Sequence, residues 1–149
     1  DRYMEEAYAE LGPGQVFDYV FVGLGTNDAK RVFESRQKEG SVNMDLLIQK
    51  IKLREGINQK RNPNICIISP PPMDENKLDL SKYEGGDERI LKNNAKFRKI
   101  AKNNQIDFLD TYGRLKPGIS ENTTDGIHLN EKAQFELATI ILKYINTKR

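Results

Sequence analysis

Two residues near the end of the chain have the types and the spacing of an acid–base pair. His128 is the only histidine in the sequence, and Asp125 precedes it by three positions. Since imidazole is the side chain whose unperturbed pKa lies near neutral pH, acid–base chemistry would pass most economically through His128. A carboxylate on the same turn can bind one ring nitrogen and leave the other free, which is half of a nucleophilic triad. The alternative is a surface or half-buried histidine whose aspartate caps the following helix.

Three short apolar runs predict the strands that would position such residues, and segments of helical periodicity separate them. The predicted strands are Val16–Val22, Ile65–Ile68 and Ile106–Asp110. Helices are predicted over 2–11, after Ser41 as a cap, over 87–103 and after Asn130 as the N-cap of the last helix; the core face of the second helix consists of Met44, Leu47, Ile48 and Ile51. Between these elements lie a polar loop over 73–87, which is typical of a lid or binding segment, and a turn-rich stretch over 113–118. This α-β-α-β-α-β-α order predicts one α/β domain over 1–149, with a parallel sheet covered by helices on both faces.

The composition excludes several classes of protein. The chain has 149 residues, 37% of them apolar and 31% charged, as in soluble globular domains. No apolar run approaches the roughly 20 residues that span a bilayer. A net charge of +2 with both signs interspersed does not indicate a nucleic-acid partner. The single cysteine, Cys66, lies in an apolar run and predicts a core residue without an internal disulfide. The compartment therefore stays open between secreted and cytoplasmic.

A second polar segment, Gly25–Asp28, follows the first predicted strand, whereas Asp125 and His128 follow the third. Because ligands of open parallel sheets bind at the carboxyl ends of the strands, we expect Asn27 and His128 to share one rim of the sheet. A side-chain amide there can donate to a developing oxyanion. The alternative is a tight turn in which Asn27 and Asp28 cap the next helix. A dinucleotide-binding fingerprint is excluded, since its third glycine would fall on Asp28.

The chain resembles the SGNH, or GDSL-type, hydrolases in three motifs that occur in the same order. These are Gly25–Asp28 (Gly-Thr-Asn-Asp) after an apolar strand, the stop Pro70–Pro72 after the next strand, and Asp125–Leu129 (Asp-Gly-Ile-His-Leu) before the last helix. The resemblance implies a flavodoxin-like, three-layer α/β/α fold. It also implies hydrolysis of a carboxylic ester, an acyl or acetyl ester of a lipid, sugar or small alcohol, through an acyl-serine intermediate with no metal or organic cofactor.

The resemblance also implies roles for individual residues. His128 matches the catalytic base, Asp125 the carboxylate that orients it, and Asn27 the side-chain donor of the oxyanion hole. The family's nucleophile lies in a Gly-Asp-Ser motif after its first strand, and that motif does not occur in residues 1–149. We therefore expect an N-terminally incomplete esterase, of which residues 1–149 alone have little or no activity. The alternative is a catalytically inactive binding or interaction domain of the same fold.

If residues 1–149 are N-terminally incomplete, the first predicted strand would lie at an unpaired edge of the sheet. Measured against the family, two strands and a helix would precede residue 1, and one of those strands is the central one that bears the serine. Val16–Val22 would then be an unpaired apolar edge, which is an aggregation hazard. We expect a segment outside the numbering, or a second copy of the chain, to cover this edge. The expected partners are thus this covering segment and a small-molecule ester, with neither nucleic acid nor a membrane span.

Overall fold

Strands and helices alternate along the residues that the computed structural model describes, which are 17–57 and 63–148 together with Glu6 and Ala9. In chain order the elements are strand β1 (Tyr19–Val22), the 3₁₀ helices Asn27–Ala29 and Arg31–Arg36, helix α1 (Gln37–Ile57), strand β2 (Asn64–Ile68), helix α2 (Leu80–Tyr83), helix α3 (Gly86–Asn103), strand β3 (Asp107–Leu109), helix α4 (Thr111–Leu115), the 3₁₀ turn Lys116–Gly118, helix α5 (Ile119–Asn122) and helix α6 (Glu131–Asn146). Except for Glu6 and Ala9, which are helical, the predicted helix over 2–11 lies outside the described residues, as does Val16 of the predicted strand.

The three strands form one parallel sheet in the order β1-β2-β3. Phe21 lies opposite Cys66, and Ile68 lies opposite Leu109. Because successive side chains of a strand point to opposite faces, each strand contributes to a core on both sides of the sheet. This confirms the predicted α/β class and the parallel strand direction.

Helices cover both faces of the sheet. On the face of α1 and α3 the buried apolar side chains are Val22, Met44, Ile48, Ile51, Ile65, Ile67, Phe97 and Ala101. On the face of α6 they are Cys66, Leu109, Leu115 and Ile140. Cys66 is fully buried, which raises the pKa of its thiol to about 11 and confirms it as a core residue. The architecture is the three-layer α/β/α arrangement that the resemblance implies.

A third apolar cluster, which we call the rim cluster, lies beyond the carboxyl ends of the strands. It consists of Ala29, Met73, Leu78, Tyr83 and Ile90, with Tyr112 and Ile127 packed against them. Each strand is followed by one of its members, since Ala29 follows β1, Met73 follows β2 and Tyr112 follows β3. Apolar side chains of the segment 73–87 therefore anchor it to the rim cluster. Its interpretation as a lid or binding segment stays a prediction.

Two local predictions are wrong at the level of single turns. Helix α1 begins at Gln37 instead of Ser41, because the preceding 3₁₀ helix runs directly into it. The Ser41 hydroxyl donates to the carbonyl of Lys38 at 2.8 Å inside the helix and caps nothing. The stretch over 113–118 is helical, and Asp110 caps α4 by accepting from the N–H of Gly113 at 2.9 Å. Helices of about one turn are too short for apolar periodicity to reveal.

Strand β1 lies at an edge of the sheet. It pairs with β2 on one side, and no strand of the described part of the chain pairs with it on the other. Its faces are covered, since Tyr19, Val20 and Phe21 are half buried and Val22 is buried. Only the outer row of backbone groups faces away from the sheet. The cover expected over that row stays a prediction.

Candidate active site

Asp125 and His128 lie in a loop between α5 and α6 that is closed at its base. An antiparallel bridge joins Thr123 to Leu129 on either side of the pair. Immediately afterwards the side chain of Asn130 accepts from a backbone N–H in the first turn of α6 at 3.1 Å, which confirms Asn130 as the N-cap. The loop is therefore held at both ends within a few residues of the two side chains.

The carboxylate of Asp125 contacts the ring of His128 directly. The ring nitrogen Nδ1 lies 2.5 Å from Oδ2 of Asp125. The other carboxylate oxygen, Oδ1, accepts from the backbone N–H groups of Ile127 at 2.9 Å and of His128 at 2.8 Å. With Nδ1 facing the carboxylate, Nε2 is the nitrogen left for chemistry, and the side chain of His128 is 82% exposed. The pairing expected from the three-residue spacing is thus present in the structure.

These contacts change the ionisation of the carboxyl group. The hydrogen bond from the His128 ring, followed by those from the two backbone N–H groups, holds the pKa of Asp125 well below its ordinary range. A carboxyl group whose pKa is lowered on folding stabilises the folded protein above its unfolded pKa, and that stabilisation is lost as the pH falls through the folded pKa. Asp125 is therefore ionised at every pH at which an imidazole base can work.

An NMR titration of the Asp125 side-chain carboxyl carbon checks this ionisation. We expect its chemical shift to stay nearly constant between about pH 3 and 5, where an ordinary aspartate titrates. In His128→Ala the strongest of the three hydrogen bonds is gone, so the titration should move up toward the ordinary range. If both proteins titrate alike near the ordinary aspartate pKa, the ring does not stabilise the carboxylate.

Gly126, between the two residues of the pair, seats the loop on the segment that follows β2. Its φ of +85° lies in the region that favours glycine. A Cβ atom there would lie 2.7 Å from the carbonyl oxygen of Asp74. In return the backbone N–H of Asp74 donates to the carbonyl of Gly126 at 3.0 Å. A Cβ atom at this position would therefore require the loop or the backbone around Asp74 to shift.

Asn27 begins the 3₁₀ helix that follows β1, and a tight glycine turn places it there. Gly25 has a φ of +119°, and a Cβ on it would lie 2.9 Å from a ring carbon of Phe97 and 3.0 Å from Pro70. The side chain of Asn27 is exposed and makes no hydrogen bond within the described residues. Neither 3₁₀ helix of this region has a side-chain cap, so the expected alternative of capping by Asn27 and Asp28 is not observed.

The Asn27 turn and the His128 loop lie at the same end of the sheet. Ala29, two positions after Asn27, and Ile127, just before His128, both belong to the rim cluster. Within the described residues no hydrogen bond joins Asn27 to Asp125 or His128. The structure therefore brings Asp125 and His128 into contact and places Asn27 on the same rim as a separate, unpaired amide.

Each of the five serines in the sequence lies in the described part of the chain, and none of them hydrogen bonds to His128. Ser69 is buried, and its hydroxyl accepts from two backbone N–H groups at the start of α4. The Ser41 hydroxyl is bound inside α1, and the Ser81 hydroxyl donates to Asp79. Ser35 and Ser120 are exposed in short helices. The expectation that this segment lacks the nucleophile therefore stays a prediction that these contacts favour.

Two residues beside the site were missed by the sequence analysis. Lys77 and Asp74, both in the polar segment after β2, contact the backbone of the loop that carries Asp125. The only feature of the sequence that could have indicated them is the length of that segment, because a lysine in a polar stretch looks like any solvated lysine.

Across the described ranges no group of three or more His, Cys, Asp or Glu side chains is placed to hold a metal ion. No described helix is long and apolar enough to cross a bilayer.

Comparison with protein families decides the relationship. The sequence model of the GDSL-like lipase/acylhydrolase family matches residues 1–134, a range that includes Asn27, Asp125 and His128. This chain belongs to the GDSL-like lipase/acylhydrolase family. A family of lipases and acylhydrolases agrees with the ester hydrolysis that the resemblance implies. Among curated proteins nothing matches this GDSL-family chain.

Solved structures of esterases share the fold of this GDSL-family chain. A carbohydrate acetylesterase from Sinorhizobium meliloti superposes with a TM-score of 0.73 at 22% identity, over 99% of this chain and 67% of the other. The aryl esterase of M. smegmatis gives 0.73 at 20% identity, over 98% and 66%. A putative arylesterase from Agrobacterium tumefaciens gives 0.71 at 22% identity, over 98% and 67%. At these identities the likeness shows the fold, and the chain spans about two thirds of the length of each structure.

Proposed function

We propose that this chain supplies the acid–base pair and one oxyanion donor of a serine esterase. The enzyme would hydrolyse acyl or acetyl esters of a lipid, sugar or small alcohol through an acyl-serine intermediate. The observation that carries the proposal is the 2.5 Å contact between His128 Nδ1 and Asp125, which leaves Nε2 exposed at the carboxyl edge of a parallel sheet. Family membership supports the ester as the substrate class.

The geometry suits the proton transfers of acyl transfer. Nε2 of His128 takes the proton of the serine hydroxyl as the serine oxygen bonds to the ester carbonyl carbon, and it gives that proton to the departing alcohol oxygen. In the second half, Nε2 takes a proton from a water molecule as the water oxygen bonds to the acyl carbon of the acyl-serine. Nε2 then gives that proton to the serine oxygen as the acid is released. Asp125 stabilises the imidazolium formed in each half, while the amide of Asn27 donates to the oxyanion on the carbonyl oxygen.

We infer that the nucleophilic serine comes from outside residues 1–149. The contacts of the buried Ser69 and of Ser41 and Ser81 leave those hydroxyls engaged elsewhere. The partial coverage of the esterase structures, about two thirds of each, leaves room for an additional segment. The outer row of β1, unpaired among the described residues, is where a further parallel strand can add.

An ester hydrolysis assay separates the parts of this proposal. With 4-nitrophenyl acetate we expect no turnover above background from the 149-residue chain, and rapid turnover from the protein produced from its natural start codon. Acetylated sugars and aryl acetates are the first further substrates to test, because the structural neighbours are described as a carbohydrate acetylesterase and an aryl esterase. Rapid turnover by the 149-residue chain would refute an external nucleophile. An inactive longer protein would favour the binding-domain alternative.

A further inference from the structure

Lys77 makes long-range contacts that its position in a polar segment does not suggest. Its ammonium group donates to the carbonyl oxygens of Ser120 and Thr123, the latter at 2.8 Å. These carbonyls lie in α5 and at the first residue of the bridge that closes the Asp125 loop. The side chain of Lys77 therefore binds both the helix that precedes the loop and the first residue of the loop.

Asp74 also contributes to the attachment of the Asp125 loop, and it lies in the same turn as Lys77, whose backbone N–H donates to the Asp74 carbonyl. Its carboxylate is buried, with 4% of its surface exposed, and Oδ2 lies 4.0 Å from Nζ of Lys77. That oxygen has no hydrogen-bond partner among the described residues. A buried carboxylate is costly unless a cation is near it, and Lys77 is the cation that this one meets. The ammonium thus lies among three oxygens, one carbonyl oxygen from α5, one from the loop and one carboxylate oxygen from Asp74.

The contacts lie on both sides of Asp125. Lys77 binds the carbonyl of Thr123 before it, and the backbone N–H of Asp74 binds the carbonyl of Gly126 after it. The bridge at the base of the loop fixes the loop internally, whereas these two contacts fix it against the edge of the sheet. Because the side chain of His128 is largely exposed, packing contributes little to its placement. Its position relative to the rim therefore depends on the backbone contacts.

We propose that Lys77 is a positioning residue for the Asp125–His128 pair, and that its ammonium holds the loop on the sheet edge at the place where His128 can meet a nucleophile. The catalytic consequence rests on the proposed ester hydrolysis, while the attachment of the loop does not. A misplacement of about 1 Å can cost on the order of 10²-fold in rate, so the effect on turnover can be large although Lys77 touches no reacting atom.

Amide hydrogen exchange in the 149-residue chain tests the attachment without any substrate. In Lys77→Met, which keeps the length of the side chain and removes its charge, we expect the Asp74 amide to exchange at least about tenfold faster, while amides of the central strand β2 keep their rates. Lys77→Arg retains a cation with several donors and should restore most of the protection. The matched control is Lys99→Met, since Lys99 is exposed on α3 without a side-chain hydrogen bond or ion pair in the described residues.

The same variants in the active, longer protein test the consequence for catalysis. We expect Lys77→Met to lower kcat by roughly 10- to 100-fold with KM within about threefold, and Lys77→Arg to recover most of kcat. Unchanged exchange at Asp74, equal acceleration across all amides, or the same changes in Lys99→Met would overturn the proposal. If exchange responds as expected but the longer protein hydrolyses no ester, the positioning role stands and the proposed function fails.

Discussion

Replacing His128 with alanine is expected to lower kcat/KM for ester hydrolysis by about 10⁴- to 10⁶-fold in the protein that carries the nucleophile, as removal of a triad base does. Residues 1–149 hold no second histidine that could take over the proton. Nδ1 of His128 contacts Asp125, so the proposed proton transfers would all pass through Nε2. Hydrolysis of 4-nitrophenyl acetate, followed at several substrate concentrations, measures the loss.

Two controls separate this loss from a loss of fold. Because the His128 side chain is largely solvent-exposed, the variant should unfold at nearly the same temperature as the parent protein. Adding free imidazole should restore part of the activity, since a small base can enter the space that the ring has left. A variant that keeps more than about a tenth of the parental kcat/KM would show that another group acts as the base.

Replacing Asn27 with alanine is expected to lower kcat by about 10²- to 10³-fold, the cost of losing one oxyanion donor. The amide makes no hydrogen bond within the described residues, so its removal leaves no partner unsatisfied in the resting protein. In the proposed mechanism, the Asn27 amide donates only as charge develops on the carbonyl oxygen. We therefore expect kcat to fall while KM changes by less than about threefold, which is the signature of a contact made in the transition state.

Asn103→Ala is the matched control for this substitution. Asn103 is exposed at the end of α3 that leads into β3, also without a side-chain hydrogen bond in the described part of the chain. It should leave kcat and KM unchanged. A loss of kcat below about tenfold in Asn27→Ala, or an equal loss in Asn103→Ala, would contradict a donor role for Asn27.

The features that the sequence predicts well are those that depend on nearby residues. Asp125 and His128 are three positions apart, so the loop that carries one carries the other, and their contact needs no knowledge of the rest of the fold. The apolar runs around Phe21 and Cys66 predict buried strands for the same reason, because a continuous run of apolar residues indicates a strand covered on both faces. Strand direction then follows from the helices between the strands.

The features that the sequence does not predict depend on contacts between distant segments. Lys77 meets the Asp125 loop more than forty positions away, and no local pattern distinguishes it from a solvated lysine. Gly25 is required by the approach of Phe97, which lies in a helix far along the chain. The sequence predicts the start of α1 at Ser41, because serine is a favourable N-cap residue. In the structure the 3₁₀ helix Arg31–Arg36 continues directly into α1, which therefore begins at Gln37.

The measurement that tests the central claim most directly is covalent labelling with a fluorophosphonate, followed by mass spectrometry of the labelled peptide. The protein produced from its natural start codon should be labelled on one serine outside residues 1–149, and His128→Ala should abolish that labelling because no base activates the hydroxyl. Labelling of Ser35, Ser120 or another serine within 1–149, or labelling that does not depend on His128, would contradict the account.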